Sequence, residues 1–270
     1  MNDYADQDEF PVHDFEVDQM KEALGALGIA LPAACVCLDV GGLRGQHAAR
    51  IAEAGRRVHV IDQVPYHALD GGCYVDTLRQ LYARYDRSFP FDRIIFNEMD
   101  GQNLWFKDRI FDFVYSINTF EHISNPAIAF DEMMRVSKPG GIIYIQFDPI
   151  WASPFGHHLP HLLPEPWLHL IHPTNEVHRL ILENGGTDND LRIYDTEMNR
   201  RGLHDYFAIF DAARLRFQFE CAAFSWWPTS QEEEPLCSHP NFAAARAAGY
   251  GADELFVRGL RFCGRLADPG

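Results

Sequence analysis

Basic residues are scarce in this chain. Lysine and arginine number 23 against 39 aspartates and glutamates, a formal charge of −16. A surface that acidic repels phosphate backbones and anionic headgroups, so neither nucleic acid nor a membrane is expected as a partner. The pair Arg200-Arg201 is a local exception. No apolar run approaches the ~18 residues of a membrane span. The N-terminus has no basic stretch followed by an apolar one, so no secretory leader is expected. The six cysteines, at 35, 37, 73, 221, 237 and 263, form no Cys-x-x-Cys pair, which removes the common zinc-ribbon patterns. They read as free, mostly buried thiols of a cytoplasmic protein. There is no internal repeat and no low-complexity tract.

What is present is a chain of 270 residues, 47% hydrophobic, enough for one large α/β domain or one domain with a sizeable insertion. Residues 1–13 are polar and read as a loose arm. From Asp14 to Leu27 the apolar residues Phe15, Val17, Met20, Ala23, Leu24 and Leu27 recur at helical spacing. Strands are expected at 35–40, 58–61, 93–97, 111–117 and 142–147, alternating with helices at 44–54, 74–85 and 126–136. Continuous apolar strands separated by helices describe a parallel sheet covered on both faces. The alternation stops at 148. Beyond it, helices are expected at 175–183, 203–210 and 242–248, and two long strands at 217–226 and 255–266, joined through an acidic loop, 228–240.

Residues 37–45 read Cys-Leu-Asp-Val-Gly-Gly-Leu-Arg-Gly, and Asp62 ends the second strand 23 positions after Asp39. A buried strand, a glycine turn opening a helix, then an acid at the end of the next strand suit a nucleotide-like ligand. The glycines bring backbone close, and the acid holds ribose hydroxyls. Downstream, Asp100 follows the third strand. Its carboxylate can accept from an exocyclic amine, with Leu104 or Trp105 walling a purine ring.

Glu121-His122 after strand four, and Arg135-Val-Ser-Lys-Pro-Gly-Gly141 before strand five, complete an ordering. It resembles the class I S-adenosylmethionine-dependent methyltransferases, in particular their broad small-molecule group. The resemblance runs from about residue 35 to 147 and resumes over 254–265, similar to that family's antiparallel last strand. It implies a Rossmann-like, doubly wound α/β sheet, mostly parallel with an antiparallel last strand, plus a lid insertion after strand five. The whole of 1–270 would be one domain, with an N-terminal arm and helix over 1–34 and the lid over 148–212. Carried over by position, Asp39, Gly41 and Gly45 form the methionine-side loop, Asp62 the ribose clamp and Asp100 the adenine contact. Asn118 and Phe120 lie beside the sulfonium, and Gly42, Gln63 and Gly101 complete the set. The chain departs from the family at Leu43, where the middle glycine of the turn is expected.

Six histidines fall within 22 residues: His157, His158, His161, His169, His172 and His178. With His122, the first two are candidate proton acceptors for a hydroxyl, since a near-neutral imidazole can take a proton as the methyl transfers. The expected activity is methyl transfer from S-adenosylmethionine to a small-molecule acceptor, O-methylation first, leaving S-adenosylhomocysteine. N- or C-methylation, a metal-assisted reaction at Glu121, His122 and His158, and a non-catalytic binding role stay open. Aromatic residues, among them Trp151, Phe155, Trp167, Tyr206, Phe207, Phe210, Trp226 and Trp227, either line an acceptor pocket or form the lid's own core. A homodimer is an open possibility.

Overall fold

The computed structural model describes residues 10–66, 68, 73–226 and 236–268. Trp227, most of the acidic loop and residues 1–9 of the expected arm lie outside them.

Seven strands form one sheet: β1 (Val36–Val40), β2 (Arg57–Asp62), β3 (Ile94–Glu98), β4 (Phe111–Ile117), β5 (Ser137–Phe147), β6 (Phe217–Trp226) and β7 (Val257–Leu266). Their order is β3-β2-β1-β4-β5-β7-β6. The first five pair in parallel, with Leu38 opposite His59 on one side and Val114 on the other. β7 runs antiparallel between β5 and β6, with Tyr144 opposite Cys263.

Alternating side chains serve opposite faces, as the strand period requires. Leu38, Val40, Val114, Ile143 and Ile145 pack toward α4 (Pro126–Val136) through Phe130 and Met133, and toward α8 (Leu203–Ala212) through Tyr206 and Phe210. Cys37, Val58, Val60, Tyr115 and Tyr144 face the other way. They meet α1 (Phe10–Ala26), α2 (Gln46–Ala52) and α3 (Cys73–Ala83). Both faces are covered over the middle of the sheet, which is why the central strands β1, β4 and β5 are largely apolar on both sides.

Three expectations are corrected. α1 begins at Phe10, so residues 10–13 belong to the helix; Pro11 sits in its first turn, where a missing N–H costs nothing. Val17, Met20 and Leu24 carry its buried face, while Phe15 points outward. The strand expected at 142–147 begins at Ser137, so Pro139-Gly140-Gly141 is drawn into β5. Pairing jumps from Phe111–Ser137 to Phe113–Ile142, and the bulge is accommodated at Gly140. Cys221 and Cys237 are exposed, because β6 is the sheet's edge strand and Cys237 lies in the expected loop 228–240.

After β5, residues 148–167 run in turns and residues 168–216 are mainly helical; together they carry a core of their own: Trp151, Leu159, Leu163, Val177, Ile181 and Tyr194. It includes α5 (Leu168–Ile171), α6 (Thr174–Glu183) and α7 (Asp188–Thr196). α7 was not expected, although its signature is in the chain. Thr187 and Asp190 form a reciprocal capping box, a Thr-x-x-acid start signal. α9 (Pro240–Ala247) and α10 (Ala252–Phe256) pack Phe242 and Leu255 around Trp167. Among the described residues, no helix is long and apolar enough to cross a membrane.

Candidate active site

The carboxyl ends of β1, β2, β3 and β4 open into one cavity of about 570 Å³, within the range of small-molecule sites. Its lining comes from each strand end in turn: Val40 and Gly41, then Ile61, Asp62 and Gln63, then Met99, Asp100 and Gly101, then Asn118 and Thr119. His122, Ile123 and Ser124 close one side, and Arg192, Thr196 and Glu197, from α7 and its end, close another. Open α/β sheets place their ligand sites at this position.

The turn after β1 is built from backbone that a side chain would obstruct. Gly41 has φ 75°, and a Cβ there would run into the Thr119 side chain. Gly42 packs its Cα over Asp39; a Cβ would stand 2.7 Å from that carboxylate. Gly45 opens α2 with φ 81°. Leu43 takes φ 47°, the left-handed region that glycine would fill without strain, and its side chain is 45% exposed. The unexpected residue therefore keeps the turn.

Asp62 is where the sequence pattern puts it, at the end of β2. Its Oδ2 accepts from Leu43 N at 3.2 Å and its Oδ1 from Val64 N at 3.0 Å. Burial raises its pKa, and those backbone N–H groups oppose the rise. Asp100 accepts from Gln102 N at 2.8 Å and from the Gln102 side chain, while still lining the cavity. Leu104 is buried in the core and Trp105 is 76% exposed to solvent, so neither walls the cavity. Met99 and Ile123 do so instead.

Several candidates lie behind the cavity rather than in its wall. Asp39 is 0% exposed; Tyr115 OH donates to its Oδ2 at 3.1 Å, and burial pushes its pKa up to about 8. Phe120 is fully buried, stacked toward Phe147. Asn118 does line the cavity, but it has φ 50° and turns its side-chain amide to Glu16, donating to Oε1 at 2.5 Å.

The histidines separate. His122 lines the cavity. Its Nδ1 lies 2.8 Å from the Glu197 carbonyl oxygen. A carbonyl only accepts, so a neutral His122 carries its proton on Nδ1 and keeps a lone pair on Nε2. His158 faces it edge-on, ring centroids 5.1 Å apart. Beside them, Glu121 is buried with Oε2 unpartnered, and burial drives its pKa far upward. His157 does not reach the cavity. It is 0% exposed, its Nδ1 accepts from Leu159 N at 3.0 Å, and burial lowers its pKa to about 2. A base must be reachable and near neutral pKa, so the expectation of His157 as proton acceptor is corrected. His169 is likewise internal, hydrogen-bonded to the Trp151 carbonyl at 2.8 Å, and His178 pairs with Asp195.

Thr119, Gln102, Arg192, Thr196 and Glu197 line the cavity without having been expected. The last three arrive with α7, and its capping box was the signal that could have found them. Thr119 donates to the Gly41 carbonyl at 3.1 Å, tying the β4 end to the glycine turn.

Residues 38–145 match the methyltransferase domain family. An uncharacterized methyltransferase of Mycobacterium leprae is 33% identical over 129 residues, 48% of this chain and 42% of that protein. The chain thus spans less than half the length of that relative. A geranyl diphosphate C-methyltransferase of Streptomyces coelicolor, solved with Mg2+, geranyl-S-thiolodiphosphate and S-adenosyl-L-homocysteine, superposes with TM-score 0.54. It is 15% identical, over 94% of this chain and 76% of its own. A phosphoethanolamine N-methyltransferase of Haemonchus contortus, solved with S-adenosyl-L-methionine, gives 0.52 at 14% identity, over 93% and 53%. By the match over 38–145, that segment belongs to the methyltransferase domain family, and the chain shares its fold with methyltransferases solved with S-adenosyl-L-methionine or S-adenosyl-L-homocysteine.

Proposed function

We propose that this chain transfers a methyl group from S-adenosylmethionine to the hydroxyl of a small-molecule acceptor, with His122 taking the proton. The observation that carries the reading is the convergence of Gly41, Asp62, Asp100, Asn118 and His122 on one cavity. The residues fit the cofactor. Asp62 offers carboxylate oxygens to a ribose diol at the mouth of β2. Asp100, Gly101 and Gln63 surround the place of a purine, with Met99 and Ile123 as its apolar walls. Gly41 and Thr119 leave backbone open at the methionine end.

When bound, the cofactor supplies an activated methyl group that carries its own driving force. The chain's share is alignment and a proton acceptor. Glu197 fixes the tautomer of His122, so Nε2 is free to accept. Burial drives the Glu121 pKa upward, which disfavours a negative charge beside that nitrogen. Residues 148–212, with α7 lining the cavity, serve as the lid, and Arg192 and Thr196 are its contribution to acceptor choice.

One observation favours a second reading. The ligating atoms of Glu121, His122 and His158 lie within 4.8 Å of one another, which suits a metal-assisted transfer at the same place.

Calorimetry tests the cofactor half: S-adenosylmethionine should bind the purified chain, and Asp62→Ala should weaken it at least tenfold, the cost of one charged hydrogen-bonding group. Absence of measurable binding to the wild type would sink the enzyme reading. Labelled cofactor with a small-molecule extract then tests transfer, with chelator added in a parallel reaction to separate the two readings.

A further inference from the structure

Outside the cavity, α1 and α2 bring three ligand-bearing side chains to one point. His13 and Glu16 stand three apart on α1, on one helical face. His47 reaches them from the first turn of α2. His47 Nε2 lies 2.7 Å from Glu16 Oε2 and 3.2 Å from His13 Nδ1, and His13 Nδ1 lies 3.5 Å from Glu16 Oε2. His47 is buried and the other two are half-buried.

We infer that His13, Glu16 and His47 form a binding site for a divalent transition metal ion, zinc first. Ligand atoms around a tetrahedral zinc, bonded at about 2.0–2.1 Å, stand about 3.3 Å from one another. The three separations here, 2.7, 3.2 and 3.5 Å, span that value, so an ion fits with small shifts of the rings. Two imidazoles and one carboxylate select zinc and its neighbours over magnesium or calcium, which prefer oxygen alone. Three protein ligands leave a fourth position for water.

The set has the outer support that metal ligands take. Glu16 Oε1 accepts from Asn118 Nδ2 at 2.5 Å, which fixes the carboxylate with Oε2 toward the histidines. Asn118 lines the cavity at the end of β4, so the ion would fasten α1 to the strand that carries the site. His13 and Glu16 precede the matched segment 38–145, so this clasp is a property of the chain and is not carried by the family match.

The test is zinc titration of chelator-stripped full-length protein against a chromophoric chelator, with thermal melts alongside. One equivalent should bind the wild type and raise its melting temperature. Glu16→Gln and His47→Gln should each weaken binding at least a hundredfold and abolish that rise, and Asn118→Ala should weaken it about tenfold, as loss of an outer partner does. Should the buried His47 variant fail to fold, His13→Ala on the outer helix gives the same readout. The double variant Glu121→Gln/His158→Gln should keep the equivalent. Failure of the wild type to bind zinc at micromolar concentration overturns the site. So does binding that survives both His13→Ala and His47→Gln, or that disappears with Glu121→Gln/His158→Gln.

Discussion

Leu43 N donates to Asp62 Oδ2 at 3.2 Å, across 19 residues. The bond joins the glycine turn to the acid at the end of β2. It explains how a leucine stands where a glycine is expected: the backbone N–H makes the contact, and the residue sits 45% exposed among those that line the cavity. Leu43→Gly should leave the bond intact. It removes positive-φ strain of roughly 1–2 kcal/mol and adds a comparable entropy cost to folding, so the net change in stability should stay within about 1 kcal/mol. Affinity for S-adenosylmethionine should change less than threefold by calorimetry. A tenfold gain would mean that the Leu43 side chain obstructs the site.

Asp39 should give the fold a pH dependence of its own. Its pKa is pushed up to about 8 by burial, against an ordinary value of 3.8. Between those values the folded chain holds a proton that the unfolded chain has released. Stability from this group therefore falls as pH rises from about 4 to 8. Asp39→Asn keeps a neutral side chain opposite Tyr115 and cannot titrate. Urea unfolding at pH 5 and pH 8 should show a smaller loss of stability in the variant than in the wild type. Equal losses would place the ionised carboxylate in the folded state at pH 5.

Much of this was legible beforehand, and the residues show why. β4 and α4 have the bounds read from the chain, 111–117 and 126–136, because apolar runs there end in strong punctuation: Asn118 with positive φ, and Pro126 at a helix start. The strand-end acids were visible because topology alone brings Asp62 and Asp100 together. What depends on the far segment was not. Whether a histidine in 156–161 faces the cavity or the helical core turns on packing around Trp151 and Leu163, and sequence spacing says nothing of that. The clasp of His13, Glu16 and His47 joins side chains of two helices, Glu16 and His47 being 31 residues apart, and no local pattern announces it.

His122 and His157 should part company on substitution. His122→Gln should keep the fold and cofactor affinity, and lower the rate of methyl transfer about 10²–10⁴-fold, the usual worth of a positioned base. His157→Ala should do the reverse. It leaves Leu159 N without its acceptor and opens a void, a cost of roughly 2–4 kcal/mol in unfolding free energy. Its transfer rate, measured where it is folded, should stay within about threefold of the wild type. A His122 variant of undiminished rate would remove that residue from the chemistry.

Acid should loosen the helical segment before neutral pH does. Burial lowers His157 to about 2 and both His158 and His169 to about 4, from 6.5 when exposed. Below about pH 6.5 the unfolded chain takes up protons that the folded chain excludes. The stabilisation is complete above that pH and drains away as pH falls through about 4. Trp151 stacks edge-on against His169 with ring centroids 4.7 Å apart, so tryptophan emission reports on this core. The urea midpoint followed by that signal should drop between pH 7 and pH 5. His169→Gln removes one contributing proton, so its midpoint should vary less over the same range. A wild-type midpoint that holds steady from pH 7 to 5 would show these imidazoles to be solvated and ordinary.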